Sequence, residues 1–544
     1  MSWSTHARTP NPSRWQLSRQ LSRRRFLGFG GGGAAAVLLG TGVFVENSVS
    51  SLPLGGADPF SLGVASGDPA PDGVVLWTRL APEPLAADGS GGMPPRRVRV
   101  EYEVAADERF RSVVRRGRVV ATPELGHSVH PEVGGLEPDR VYYYRFRVGG
   151  TLSPVGRTRT TPPVSSSPRD LNFAFASCQT WQDGFFTAYD HLAREDLDLV
   201  VHLGDYIYEH VPDPDRRGEI AESSLRAEVF DLPGYRLQYA LYKSEAPLRA
   251  AHASFPWVVT MDDHDVEDDW AGDHAGTTPV PSADPVAFRR RRAAAFQAMY
   301  ENLPLRSAQV PSGSHVRLHR RLPYGRLVDL TMLDTRQYRD DQPCGGGISA
   351  TCTERFAANR SILGARQRAW LLSGFATSPA RWQVLGNQVP IGQGDLDPGP
   401  ATKVSLDPWD GYVAERNRVL GAARDLGVRN LVVITGDRHR NQAQDLRADY
   451  ADPDSPTIGS EFVGTSVTTR GDGEEVDARG RLMLASNPDL KFYNARRGYV
   501  RVHVDRQRWR TDFRVLPYVT RPGAPISTRA TWVVEDRRPG VQEG

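Results

Sequence analysis

The sequence predicts an α/β layered domain behind an all-β module, and three observations carry that prediction. From residue 170 onward, short apolar runs alternate with helical stretches, the pattern of strands covered by helices. Six of those runs stop abruptly at Asp, Asn, Cys or His. Between residues 58 and 160 the apolar period is two instead, as in half-buried strands. A chain of 544 residues has room for more than one core, and 39% apolar with 24% charged residues is ordinary for a globular protein. A formal net charge of +2 gives no basis for a nucleic-acid-binding module.

At the N-terminus, Arg23, Arg24 and Arg25 stand before Phe26-Leu27 and a soft, Gly- and Ala-rich apolar segment over residues 28–45. A basic stretch with an Arg pair directly before Phe-Leu is the twin-arginine form of an export signal, and it predicts the twin-arginine machinery as a partner. The apolar segment is short and weak for a membrane span, so no stable transmembrane span is expected. Residues 1–57 are therefore read as signal and linker, and the protein as secreted, periplasmic or held at the cell surface.

Residues 58–160 read as a β-sandwich. Val98, Val100, Tyr102 and Val104 alternate with polar residues, and Val75-Leu76-Trp77 marks another strand. Leu136-Glu137-Pro138 leading into Tyr142, Tyr143 and Tyr144 has the form of a tyrosine corner, here like that of a fibronectin III module. The Pro- and Ser-rich stretch 160–169 marks the boundary. The α/β domain follows over residues 170–520, and 521–544 is left as a C-terminal tail.

Within that domain the apolar runs at 173–176, 197–203, 257–261, 327–333, 382–385 and 431–434 end respectively at Cys178, Asp205, Asp262, Asp334, Asn387 and Asp437-Arg438-His439. Helical stretches occupy 185–195, 285–302, 365–375 and 411–426. The run Arg289 to Arg292 is expected to be a solvated helix face. One Asp after a strand is an ordinary cap. Six polar strand endings point to a shared site at one side of a sheet, where ligands collect in α/β folds. Crowded carboxylates repel one another unless cations compensate, so the economical reading is a site for more than one metal ion. Oxygen donors suit hard cations; Cys and His extend the set toward transition metals. Cys344 and Cys352, in CGGGISATC, are placed to pair in an oxidising compartment, which leaves Cys178 over.

These endings resemble the PhoD-like alkaline phosphatases of the calcineurin-like metallophosphoesterases. The residues responsible are ASCQ from Ala176, GDYIYE from Gly204, DDHDVEDDW from Asp262, LDTRQYR from Leu333, LGNQ from Leu385, TGDRH from Thr435, EFVGTS from Glu461 and NARRGYV from Asn494. The resemblance implies a metallophosphoesterase-type α/β sandwich holding Fe³⁺ and Ca²⁺. It makes Cys178, Asp205, Tyr208 and His439 candidate iron ligands, with Asp205 bridging to calcium. Asp437 and one of the Asp268-Asp269 pair, Asp268 before Asp269, complete the metal set. Tyr206 is expected to point into packing. Three positions depart from the family pattern: Asp268-Asp269 where Asn is usual, Arg438 where a small apolar residue is usual, and Asp489 where His is frequent.

The mechanism implied is in-line attack on phosphorus by a metal-activated hydroxide. His264 is a candidate proton donor to the leaving group, and Arg336 and Arg497 are candidates for gripping phosphate oxygens. The substrate is then a phosphomonoester, a phosphodiester or both. Two other readings stay open: an enzyme like the purple acid phosphatases, and a non-catalytic, calcium-dependent surface-binding protein.

Overall fold

In a computed structural model of the chain, the residues described are 57–210, 217, 227–276 and 284–544. The twin-arginine stretch lies outside them.

Two large sheets stack face to face. In the first, Asp170–Ala176, Leu199–His202 and Pro256–Val259 run parallel in adjacent positions. In the second, Val328–Met332, Trp382–Asn387, Leu431–Thr435 and Thr457–Val463 do the same. These strands are apolar on both faces because both faces are covered. Phe173, Phe175, Leu199, Val201 and Val258 meet Val328, Leu330, Val384, Val432 and Phe462 in the core between the sheets. Their alternating neighbours Ala174, Ala176, Val200, Trp257 and Val259 pack under the helices Thr187–Leu192, Leu232–Lys243, Ala246–Ser254 and Pro285–Asn302. On the far side, Leu385, Leu431 and Val433 pack under Gly364–Thr377 and Val413–Asp425. The order is helix, sheet, sheet, helix. Trp509 locks the two sheets together, stacked 6.4 Å from Phe462 and edge-on to Phe173 at 5.6 Å. Truncating such a residue to Ala would cost about 3–5 kcal/mol.

In the N-terminal region Tyr142 accepts a hydrogen bond from the Glu137 amide at 2.9 Å. Val64, Val74 and Leu76 on one side pack against Val100, Tyr144 and Phe146 on the other. It is not a detached module, however. Val64–Ala70 joins the first large sheet, pairing in parallel with Pro256–Val259 at Ser66↔Pro256 and Gly67↔Trp257. Main-chain pairing thus runs straight across the boundary that composition suggested.

Two expectations need correction. Residues 521–544 are not a tail, because Ser527–Glu535 and Arg538–Glu543 form the outer edge of the first sheet. The run Arg289 to Arg292 is not wholly solvated. The helix of residues 285–302 begins at Asp284, which caps the amides of Val286 and Ala287. Its turn carries Arg291 and Arg292 inward, where they pair with Glu267 at 2.9 Å and Asp273 at 2.8 Å.

Candidate metal centre

The C-terminal ends of the parallel strands in the two sheets meet at one edge of the sandwich. The Cys178 amide donates to the Gly204 carbonyl within the first sheet, and the Val467 amide donates to the Cys178 carbonyl, a backbone bond that crosses from sheet to sheet. Cys178, Asp205, Asp269, Asp437 and His439 all hold positive φ, between 53° and 63°. Such conformations are costly for non-glycine residues and gather where tertiary structure over-determines a site. Gly204, at φ 112°, leaves no room for a side chain: a Cβ there would lie 2.4 Å from the Asp262 amide nitrogen. That close approach brings Asp205 beside the Asp262 loop.

Two groups of donors result. Cys178, Asp205 and His439 place ligand atoms within 4.8 Å of one another. Tyr208 joins them, its hydroxyl 3.1 Å from Asp205 Oδ2 and 3.3 Å from His439 Nε2. Asp262, Asp263 and Asp437 form the second group, their ligand atoms likewise within 4.8 Å of one another. Asp263 also meets Asp205 and His264, and separately Asp268 and Asp269, so the groups are contiguous. Asp262 Oδ2 is buried without a hydrogen-bond partner. A buried carboxylate oxygen left unpaired is expensive and fits an oxygen ligand awaiting a cation.

The electrostatics agree. Burial and the neighbouring Asp263 charge push Asp205 well above the usual carboxylate range. Asp437 is raised to about 6, mainly by burial. Asp269 is raised to about 8, first by the Asp407 charge and then by burial. Burial, then Asp205, raises both Cys178 and Tyr208, while burial, then Arg470 and Arg497, lowers His439. Protein alone therefore neutralises this site with protons; cations would take their place. The first group, with thiol, phenol, imidazole and carboxylate, fits a transition metal, and the second, all oxygen, fits a hard cation such as Ca²⁺.

His264 lies against both groups. Its ring stacks on Tyr208 with centroids 4.2 Å apart, and Nδ1 is 2.9 Å from Glu209 Oε2. The two predicted phosphate-binding arginines are placed otherwise. Arg336 is fully buried, donating to Asp262 Oδ1 at 2.6 Å and Asp407 Oδ1 at 3.0 Å, with Asp263 at 3.4 Å. Arg497 donates to the carbonyls of Gly471, His439 and Ala495. Both guanidiniums lie among protein groups, and Arg336 Nη2 is buried without a hydrogen-bond partner, 3.4 Å from Asp263 Oδ1 and 3.9 Å from Asp437 Oδ1. Of the Asp268-Asp269 pair, both half-buried, the Asp269 amide donates to Asp263 Oδ2 and the Asp268 amide to Glu209. Arg438 pairs with Asp437 at 3.3 Å, and Asp489 pairs with Arg447 at 2.7 Å outside every cluster. Tyr206 points into packing, its hydroxyl 2.8 Å from His252 Nε2. Asp263 and Glu209 stand in the family motifs and His210 directly follows one of them, but these were not named as site residues, and neither was Asp407. Asp407 comes from LDPWDG, with no apolar run before it, and carried no signal.

Comparison with known proteins identifies the family. The family model described as PhoD-like phosphatase matches residues 173–513, and that of the PhoD-like phosphatase N-terminal domain matches residues 49–162. The chain is 45% identical over 528 residues to alkaline phosphatase D of Bacillus subtilis (strain 168), covering 96% of this chain and 89% of that one. A solved structure of PhoD superposes with a TM-score of 0.85 at 45% identity, covering 90% of this chain and 92% of that chain. A purple acid phosphatase from yellow lupin (Lupinus luteus) seeds shares the fold at a TM-score of 0.52 and 11% identity, over 87% of this chain and 74% of its own. The chain belongs to the PhoD-like phosphatase family and is a phosphoric ester hydrolase.

Proposed function

We propose that this hydrolase is an exported alkaline phosphatase or phosphodiesterase whose centre holds Fe³⁺ at Cys178, Asp205, Tyr208 and His439. Ca²⁺ would be held by Asp437 with Asp262, Asp263 and the Asp268-Asp269 pair. The observation that carries the reading is the pairing of a mixed S, N and O donor group with an all-carboxylate group, linked through Asp205 and Asp263. Cations bound there supply Lewis-acid stabilisation of the phosphoryl, attacking and leaving oxygens.

The remaining chemistry belongs to the chain. Glu209 holds Nδ1 of His264 at 2.9 Å, so the proton for the leaving oxygen would come from Nε2, which stands 3.4 Å from Asp268 Oδ1. Although burial opposes it, the carboxylates of Glu209, Asp263 and Asp205 hold His264 well above the usual imidazole range in the metal-free chain. Arg336 fixes Asp262 and Asp263 in place; Arg497 fixes the His439 backbone. The tyrosine corner supports a fibronectin III-like N-terminal module serving as scaffold. Export rests on the Arg24-Arg25-Phe26-Leu27 stretch. Replacing Arg24 and Arg25 with Lys should leave the enzyme in the producing cell.

The direct test is turnover of matched p-nitrophenyl phosphate mono- and diesters, with calcium present and then chelated. Calcium-dependent turnover, together with bound iron by elemental analysis, is the expected result. Full activity after calcium removal would sink the proposed centre and favour one like the purple acid phosphatases.

A further inference from the structure

Beside the two donor groups lies a third, built differently. Glu209 and His210 follow the Gly204 turn directly, and His264 comes from the Asp262 loop, so the fold brings the three together from two strand ends. Their ligand atoms all lie within 4.8 Å of one another. Glu209 Oε2 is 2.9 Å from His264 Nδ1 and 3.4 Å from His210 Nδ1. Ligands of a tetrahedral ion held at 2.0–2.1 Å stand roughly 3.3 Å apart, so these separations span the value required.

The surroundings are those of a ligand set. The other nitrogen of His264, Nε2, faces Asp268 Oδ1 at 3.4 Å, and the other oxygen of Glu209, Oε1, accepts the Asp268 amide at 2.8 Å. Metal-binding histidines characteristically direct their second nitrogen to a carboxylate in this way, and ligating carboxylates are themselves hydrogen-bonded. The His264 ring is further fixed by stacking on Tyr208 at 4.2 Å. A way in exists, because the His210 side chain is 41% exposed while Glu209 is buried.

We infer that Glu209, His210 and His264 form a third, solvent-open cation site selective for borderline divalent ions such as Zn²⁺, and that filling it inhibits the enzyme. Two imidazoles and one carboxylate are a zinc donor set, poor for Ca²⁺, which wants six to eight oxygens. An ion there takes the Glu209 oxygen and the His264 nitrogen that now face each other. The ring is then held as a ligand and loses its 2.9 Å hydrogen bond to Glu209, so it no longer stands as the leaving-group donor requires. Binding stands independently of the functional reading above; the inhibition rests on it.

The test uses the metal-replete enzyme with its resident ions, titrated with Zn²⁺ alone and, for a spectrum, with Co²⁺. Wild type should take up one further Zn²⁺ as turnover falls. The Co²⁺ form should show visible bands without thiolate charge transfer, because Cys178 is not a ligand of this site. His210→Ala should weaken uptake and raise the inhibitory Zn²⁺ concentration at least tenfold, leaving turnover without Zn²⁺ within about twofold. Asp268→Asn should weaken uptake by about 10–100-fold. Equal Zn²⁺ uptake by wild type and His210→Ala, no further uptake by wild type, or a thiolate band on Co²⁺ would each overturn the proposal. Calcium-dependent turnover in the absence of Zn²⁺ reports separately on the main centre.

Discussion

Replacing Arg336 with Met tests the electrostatic account of the site most sharply. Arg336 is fully buried, with Asp262 at 2.6 Å, Asp407 at 3.0 Å, Asp263 at 3.4 Å and Asp437 at 3.9 Å. Methionine keeps much of the stem, so little cavity is created, but the cation bridging four carboxylates is lost. Removing one partner of a buried ion pair costs about 3–5 kcal/mol, because the other charge stays buried and unpaired. In chelator, the urea midpoint of Arg336→Met should fall by a corresponding amount at unchanged slope. Calcium should bind the variant more tightly, since the site has become more negative. The stability gap should then narrow by about 1.4 kcal/mol for each tenfold gain in affinity. Arg336→Lys should be intermediate, because a point charge cannot span Asp262 and Asp407 together. A midpoint in chelator indistinguishable from wild type, or a gap that calcium leaves untouched, would refute the reasoning.

Three further outcomes are expected. Tyr208→Phe removes only a hydroxyl lying 3.1 Å from Asp205 and 3.3 Å from His439, so folding should persist; the tyrosinate-to-iron absorption that the proposed centre predicts should vanish, and kcat should drop about a hundredfold or more. In metal-free protein, the folded state raises Asp437 from 3.8 to about 6 and Asp269 from 3.8 to about 8. The native state then binds more protons than the unfolded chain across that window, so stability should fall as pH rises from about 4 to 8, and calcium should abolish the trend in urea unfolding. Cys344 and Cys352 form a disulfide whose loop pairs Ile348–Ser349 with Val404–Ser405, directly before Asp407. Breaking it with Ser at both positions should lower kcat severalfold through misplacement of Asp407 and Arg336, and treating wild type with thiol should reproduce the loss.

Much of this architecture was legible in the chain. The six apolar runs became buried strands because continuous apolar character needs cover on both faces, a local property of sequence. Their polar endings located Cys178, Asp205, Asp437 and His439, since a strand and the residue after it are covalently tied. The helix over residues 285–302 was readable from its Asp284-Pro285 start. The family resemblance named Tyr208 over Tyr206, and the packing of Tyr206 onto His252 agrees.

Tertiary structure alone decided the rest. Whether an arginine meets substrate or protein depends on partners far along the chain: Arg336 finds Asp262 and Asp407, each about seventy residues away. Asp407 acquires its role from a loop without strand periodicity. Residues 527–543 read as a tail because their apolar patterning is weak, and only folding pairs Ser527–Glu535 with strands on both sides and sets Arg538–Glu543 at the sheet edge. The shared pairing of Ser66 with Pro256 is equally invisible locally. Sequence determined which segments are buried and which donors stand at their ends. Only the folded chain could determine which donors face one another, because that is set by register and packing between distant strands.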